Sequence, residues 1–186
     1  MNKITIVSTR FNESTWSQNQ AYRTKHKCCS YSAPAPMSPK IPNESLVLVV
    51  EMNNTRNRIE GVGLIRNSPL LDRYYKTYDY FDYNRYFYKS GYHVSREMLL
   101  DYNPILVDVL DYILFKEKTH MKRGSGFTTI PPKLLGHDRC NGLDIKQEIK
   151  GVFLSTYKNQ EPFNYENGTE KTVPVQIIGS VLNYTF

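Results

Sequence analysis

Two stretches of the chain concentrate positive charge, and cationic side chains are the groups that bind phosphate. Residues 1–40 hold six Lys and Arg residues against one acidic residue, and residues 116–139 hold six against two. The formal net charge is +6, so the rest of the chain is slightly acidic. If the two stretches meet in space, they form a surface that attracts a polyanion. The alternative is a basic intracellular protein whose charge binds no partner.

Two pairs of histidine and cysteine raise the alternative of a zinc site. The pairs are His26 with Cys28, which is followed by Cys29, and His137 with Cys140. Zn²⁺ prefers thiolate and imidazole ligands, but these spacings are weak signals and adjacent cysteines are awkward ligands. An odd number of cysteines favours reduced thiols in a cytosolic compartment. We therefore expect no bound metal and no cofactor.

The motifs of common catalytic sites are missing from the sequence. No Gly-X-Ser-X-Gly context surrounds a nucleophile. The pair Gly61 and Gly63 lacks the third glycine of a dinucleotide-binding loop. The segment Lys122-Arg-Gly-Ser-Gly126 follows a predicted helix, which is the wrong polarity for a phosphate held by the helix dipole. We therefore predict that the protein is not an enzyme, and an enzyme acting on nucleic acid is the third hypothesis.

The elements that must position the charged residues include a buried β-hairpin. Residues 3–8 alternate as a strand does. Residues 45–52 form a continuous apolar run, and residues 58–65 follow after a polar turn, which predicts an antiparallel hairpin. Within its second strand, Gly61 and Gly63 place bare backbone on one face, which indicates a bend or the close approach of another group.

Two main helices are predicted to pack on the strands. Asn103 and Pro104 are typical of a helix start, and apolar residues recur along one stripe of residues 105–114. Basic residues after this stripe complement the helix dipole, and Gly124 is predicted to end the helix. Apolar residues from Leu143 to Phe153 indicate the second main helix.

The remaining segments are assigned as follows. Residues 13–25 fit a short helix or an ordered loop. The proline-bearing residues 28–42 are predicted to form an extended surface loop. Residues 85–94 are predicted to form a second hairpin, and residues 127–130 are predicted to form a short strand. Residues 158–171 are predicted to be a polar loop, and residues 173–186 are predicted to supply one or two last strands. The chain is therefore predicted to be a single α/β (α+β) domain over residues 1–186.

The order of these elements resembles the PUA-like superfamily, most of all its YTH and EVE branches. Members open with a strand, continue with a polar segment containing Trp and Asn, and then form a hairpin, a helix and a late basic strand. The parallel segments here are Ile4–Arg10, Trp16–Arg23, Pro42–Val50, Ile59–Ile65 and Lys122–Pro131. The proline-bearing insertion at 28–42 and the absence of a full aromatic cage depart from the pattern.

The resemblance implies a small mixed β-barrel with two main helices packed on it and a nucleic-acid ligand. RNA is favoured over DNA, and a modified or flipped base is one form that the ligand can take. Such a site needs an aromatic face, groups for base edges and cations for phosphate. Trp16, Asn19 and Ser8 would serve the first two needs. The cations would be Arg10, Arg23, Lys122 and Arg123.

A stretch dense in tyrosine, Tyr74–Tyr92, supports a second hypothesis. Tyrosine gives a large contact area at low entropic cost, so the stretch suits a protein interface. The alternative is that the stretch is a second platform on which bases stack. Within it, residues 83–93 resemble uncharacterised proteins of large DNA viruses. The second hypothesis is a structural or adaptor protein that docks a larger assembly, of viral or other origin, through this stretch.

No apolar run in the sequence approaches the ~18 residues that a membrane span needs. The first residues read as a strand and not as the apolar region of a signal peptide. We therefore expect no membrane partner and a cytoplasmic location, which in a viral setting means the host cytoplasm or the virion.

Overall fold

The computed structural model describes residues 4–116 and 118–158, and all structural statements concern these residues. Seven strands are present: β1 (Thr5–Phe11), β2 (Cys29–Ala33), β3 (Leu46–Asn53), β4 (Arg58–Arg66), β5 (Tyr86–Ser90), β6 (Tyr92–Ser95) and β7 (Thr128–Thr129). Five helices accompany them: α1 (Glu13–His26), α2 (Arg96–Tyr102), α3 (Pro104–Phe115), α4 (Pro132–Leu135) and α5 (Ile145–Tyr157). The fold is thus a mixed α+β arrangement, as the sequence predicts.

The main sheet has five strands in the order β6-β4-β3-β1-β7. The predicted hairpin is confirmed, since β3 and β4 pair antiparallel along their whole length. The first strand runs parallel to β3, with Val7 opposite Val49. The short strand predicted at residues 127–130 is also confirmed, because β7 pairs with β1 through Val7 and Ser8.

A second sheet of two strands corrects two of the predictions. Strand β2 lies within residues 28–42, so the first part of the predicted surface loop is a strand whose five residues are all buried. Strand β2 pairs antiparallel with β5, whereas β6 pairs with β4 in the main sheet. The hairpin predicted over residues 85–94 is therefore wrong: both strands exist, but the chain changes sheets at Gly91.

The main sheet separates two hydrophobic cores, because its side chains alternate between faces. On one face, Leu48, Val50 and Met52 of β3 pack with α2, α3 and α5. On the other face, Val47 and Val49 pack against the second sheet. The molecule therefore has three layers, with helices on one side of the sheet and β2, β5 and α1 on the other.

The two predicted main helices are confirmed with one correction. Asn103 caps α3 through hydrogen bonds from the backbone N–H groups of Ile105 and Leu106, and α5 ends at Tyr157. However, α3 ends at Phe115, well before Gly124. Gly124 instead has φ of +99° in a loop, where glycine adopts a left-handed conformation without steric cost.

Two predicted segments, the polar loop after residue 158 and the last strands at 173–186, lie outside the described residues. None of the helices in the described part of the chain combines the length and the apolar character needed to cross a bilayer.

Candidate nucleic-acid interface

An open cleft of about 200 Å³ lies where β1 ends and α1 begins. Its walls come from five parts of the chain, which the two sheets bring together. The lining residues are Thr9, Arg10, Phe11, Asn12, Thr15, Ser32, Pro34, Asn54, Tyr78, Tyr83, Gly124, Ser125 and Gly126. The cleft lies on the side of the main sheet that carries β2 and α1, away from the layer of helices α2, α3 and α5.

The two basic stretches meet at this cleft. The Arg10 guanidinium, from the first stretch, donates hydrogen bonds to the backbone carbonyls of Met121 and Gly126 in the second. The side chain of Asn54 donates to the carbonyl of Lys122 at 2.8 Å and ties the same loop to β3. Residues 122–126 therefore form a basic loop anchored on the cleft, with Lys122 half-buried and Arg123 exposed.

The cleft has a cation in its wall. Burial lowers the pKa of Arg10 from its ordinary value, but a guanidinium stays protonated in proteins and supplies a fixed positive charge. The Oδ1 atom of Asn54 is buried and has no hydrogen-bond partner among the described residues. Because this atom is buried, it is not accessible to a ligand in the cleft, and Asn54 serves the cleft through its Nδ2 group, which holds the loop at Lys122.

Trp16 lies beside the cleft and does not line it. Its ring contacts Phe11 edge-on with the ring centroids 5.1 Å apart, and Phe11 forms part of the cleft wall. The indole is half-buried against the core between the two sheets. Of the aromatic residues that line the cleft, Phe11 and Tyr78 are buried and Tyr83 is partly exposed. Tyr83 is therefore better placed than Trp16 to stack on a base.

Arg23 is committed to a buried ion pair and is not placed for phosphate. Its guanidinium lies 2.7 Å from the carboxylate of Glu51, which is fully buried. Glu51 also accepts a hydrogen bond from the hydroxyl of Tyr31 at 2.7 Å and lies 3.0 Å from Nε2 of His93. We call Arg23, Tyr31, Glu51 and His93 the buried charge cluster.

The pKa values in the buried charge cluster show that the ion pair outweighs desolvation. Burial alone would raise the pKa of Glu51, but Arg23 and then His93 oppose it, and the net result is a pKa well below the ordinary value. Burial alone would lower the pKa of Arg23, but Glu51 keeps it raised. The pair is therefore charged at neutral pH and joins α1 to β3.

The two glycines of β4 make room for the buried charge cluster. A Cβ atom at Gly63 would lie 2.1 Å from the hydroxyl of Tyr31, and one at Gly61 would lie 2.8 Å from Nε2 of His93. The register of β3 and β4 also shifts between Glu51 and Met52, opposite Gly61. Both alternatives left open by the sequence, a bend and a close approach, are thus present.

The remaining predicted site residues are divided between the core and the cleft rim. Ser8 is fully buried and donates from Oγ to the carbonyl of Thr128. Asn19 is fully buried and donates to the carbonyl of Ser30 and the hydroxyl of Tyr78. Of the seven residues predicted for the site, Arg10 lines the cleft. Lys122 and Arg123 directly precede the lining residues 124–126, and the Lys122 ammonium donates to the side chain of Asn57. Ser8, Asn19 and Arg23 are buried.

The zinc alternative finds no support in the described part of the chain, where no group of three metal-binding side chains could hold an ion. Cys29 packs in the core between the sheets, whereas Cys140 packs in the core under the helices. All three cysteines are buried, and none forms a disulfide bond. Burial raises the pKa of Cys29 to about 11, so its thiol is neutral at pH 7 and is a poor nucleophile.

Sequence reasoning missed Glu51, Asn54 and Tyr83, although one signal was present. Glu51 is the one carboxylate within an apolar run of eight residues, and a charge in a buried strand requires a buried partner. Asn54 was assigned to an ordinary turn, and Tyr83 was one of many tyrosines. No local pattern distinguishes these two residues, because their role depends on contacts with distant segments.

No protein-family model, curated protein or solved structure matches this chain. The functional assignment therefore rests on the geometry of the cleft and on the charge around it.

Proposed function

We propose that the protein is a nucleic-acid-binding module that holds one nucleotide of an RNA or DNA strand in the cleft. The observation that carries the proposal is the meeting of the two basic stretches, through Arg10 and residues 122–126, at the rim of an open cleft. A cleft of about 200 Å³ accepts a single base, and the cations beside it are suited to the adjoining phosphates.

Two needs of a nucleotide site have candidates in the lining or directly beside it. Tyr83 offers a ring face for stacking, Arg10 supplies positive charge for phosphate, and the exposed Arg123, next to the lining residue Gly124, supplies a further cation. RNA is preferred to DNA in this proposal, and a modified or flipped base is one form that the ligand can take.

The proposal includes a fold of the PUA-like type, in which the two sheets form a small mixed barrel. Two features support it: the parallel pairing of β1 with β3 at the centre of the main sheet, and the second sheet that faces β3 and β4 across a core containing Tyr31 and Tyr88. The cytoplasmic or virion location stays a prediction.

The direct test is a titration of the protein with short single-stranded RNA and DNA at two salt concentrations. The fluorescence of Trp16, the one tryptophan, reports binding because its ring contacts Phe11 in the cleft wall. We expect binding that weakens with salt, with a logarithmic slope of about −0.7 for each phosphate contacted.

Charge variants localise the binding. The double variant Lys122→Ser and Arg123→Ser should reduce the magnitude of the salt slope by roughly 1.4, since two phosphate contacts are lost. Lys133→Ser is the matched control, because Lys133 is exposed on α4, next to the helical core. Binding that is absent at low salt, or a slope that Lys133→Ser lowers equally, would contradict the proposal.

A structural or adaptor role is the second candidate, favoured by one observation. Tyr74, Tyr80 and Phe81 in the tyrosine-dense stretch are each more than half exposed, which is unusual for large aromatic side chains and marks interaction surfaces. Failure of every oligonucleotide to bind at low salt would leave this candidate as the better one.

A further inference from the structure

An exposed aromatic surface continues from the cleft. Tyr83 lines the cleft, and its ring centroid lies 5.1 Å from that of Tyr80. Next to Tyr80 in the chain, Phe81 stacks on Tyr74 with the ring centroids 5.4 Å apart and the planes 18° apart. We call Tyr74, Tyr80 and Phe81 the aromatic surface; their exposures are 52%, 62% and 65%.

The backbone that carries the aromatic surface is held in place by a buried asparagine. The Oδ1 atom of Asn84 accepts hydrogen bonds from the backbone N–H groups of Thr77 and Tyr78. Its Nδ2 atom donates to the carbonyl of Tyr78 and to the hydroxyl of Tyr74. The exposed rings are therefore positioned before any ligand arrives, which lowers the entropic cost of binding.

The charges around the aromatic surface are balanced. Lys76 pairs with Asp79, and Arg85 pairs with Asp82. The aromatic surface therefore adds little electrostatic attraction for phosphate. Its exposed ring faces are the groups available for contact with a ligand. Unpaired bases stack on such faces regardless of sequence, whereas the bases of a duplex are covered by their neighbours.

We infer that the aromatic surface binds the unpaired nucleotides that flank the nucleotide in the cleft, so that the ligand is a single strand several nucleotides long. The inference rests on the proposed function, because the path of the strand begins at the cleft. Continuity through Tyr83 favours a nucleic acid over a protein partner, since one strand would contact the cleft and the surface together.

The test compares a dinucleotide, an octanucleotide of mixed-sequence single-stranded RNA and the same octanucleotide annealed to its complement. The unmodified protein should bind the single-stranded octanucleotide at least tenfold more tightly than the dinucleotide. The double variant Tyr80→Ser and Phe81→Ser should weaken octanucleotide binding by about fivefold to a hundredfold. Dinucleotide affinity and the salt slope should stay unchanged, because the cleft and its cations are intact.

Two further variants separate stacking from folding effects. Tyr80→Phe with Phe81→Tyr keeps both rings and should retain the affinity for the octanucleotide. Ile105 lies at the start of α3 and is 64% exposed, close to the exposures of Tyr80 and Phe81. Ile105→Ser should therefore leave the affinity for the octanucleotide unchanged.

The outcomes distinguish the two proposals. If no RNA binds the unmodified protein, the proposed function fails and this inference fails with it. If the dinucleotide binds but the octanucleotide binds no more tightly, the inference is overturned while the cleft stands. It is also overturned if the duplex binds as tightly as the single strand, or if Tyr80→Ser with Phe81→Ser changes only self-association in sedimentation. That last result would assign the surface to a second copy of the chain.

Discussion

At Gly63 the packing of the two sheets leaves no space for a side chain. We predict that Gly63→Ala lowers the free energy of unfolding by about 1–3 kcal/mol, since the added methyl group would overlap the Tyr31 hydroxyl. Urea unfolding measures the change. Gly136→Ala is the control, because a Cβ atom there would meet its nearest atom, the carbonyl oxygen of Pro132, at an ordinary 3.5 Å. Equal effects of both substitutions would contradict the assignment of a close contact.

Glu51 is predicted to be highly sensitive to substitution, because its carboxylate is fully buried. Glu51→Gln would leave the Arg23 guanidinium buried without a counter-charge, and breaking a buried pair in this way costs about 3–5 kcal/mol. Chemical unfolding of the variant tests this value. Glu13→Gln, which removes an exposed partner of Arg56, should leave the unfolding midpoint nearly unchanged.

The same carboxylate predicts a dependence of stability on pH. Because the pKa of Glu51 is lower in the folded chain than its ordinary 4.5, its contribution is complete above that pH and declines as the pH falls. Below about pH 4.5 the unfolded state binds a proton that the folded state does not, which costs ~1.4 kcal/mol per pH unit. The stability difference between the unmodified protein and Glu51→Gln should therefore narrow between pH 4.5 and pH 3. A constant difference would show that Glu51 titrates normally in the fold.

At the scale of elements, the cap of α3 joins two helices. Asn103 accepts from the first turn of α3 and donates from Nδ2 to Glu148 of α5 at 2.9 Å. We predict that Asn103→Ala costs about 1–2 kcal/mol, as loss of an N-cap does. Asn103→Ser should lose much less stability than Asn103→Ala, because serine caps a helix almost as well as asparagine does. Thermal unfolding of the two variants makes the comparison, and equal losses would show that the bond to Glu148 dominates.

The elements that could be predicted are those whose signals are local. The hairpin of β3 and β4 has apolar strands next to a polar turn, and α3 has both a cap and an apolar stripe, so both were predicted. Strand β2 was missed because its residues, Cys-Ser-Tyr-Ser-Ala, have the composition of a loop. Its strand character comes from pairing with β5, more than fifty residues away in sequence.

The candidate site was predicted only in part for the same reason. The resemblance implied Arg10, Lys122 and Arg123 as cations for phosphate, and of these three Arg10 lines the cleft. The burial of Arg23 could not be foreseen, because its partner Glu51 lies 28 residues away. Trp16 was favoured as the one tryptophan. In the structure its ring packs against Phe11, and a different ring, Tyr83, lies in the cleft wall.

For the whole molecule, the two sides of the main sheet differ in what they contain. Helices α2, α3 and α5 cover one side and stabilise it, while the other side holds the buried charge cluster, the cleft and the aromatic surface. Since the proposed ligand contacts exist only in the folded chain, ligand binding should stabilise the fold against heat by mass action. The gain in melting temperature should shrink as salt rises, and a gain that is independent of salt would argue against phosphate contacts.

The central claim is that the cleft at the end of β1 is the nucleic-acid site, and amide chemical shifts test it most directly. We predict that titrating ¹⁵N-labelled protein with short single-stranded RNA moves the signals of residues 9–15, Asn54 and residues 124–126 most strongly. The signals of α3 and α5 should stay in place. Shifts confined to those helices, or none at low salt, would contradict the account.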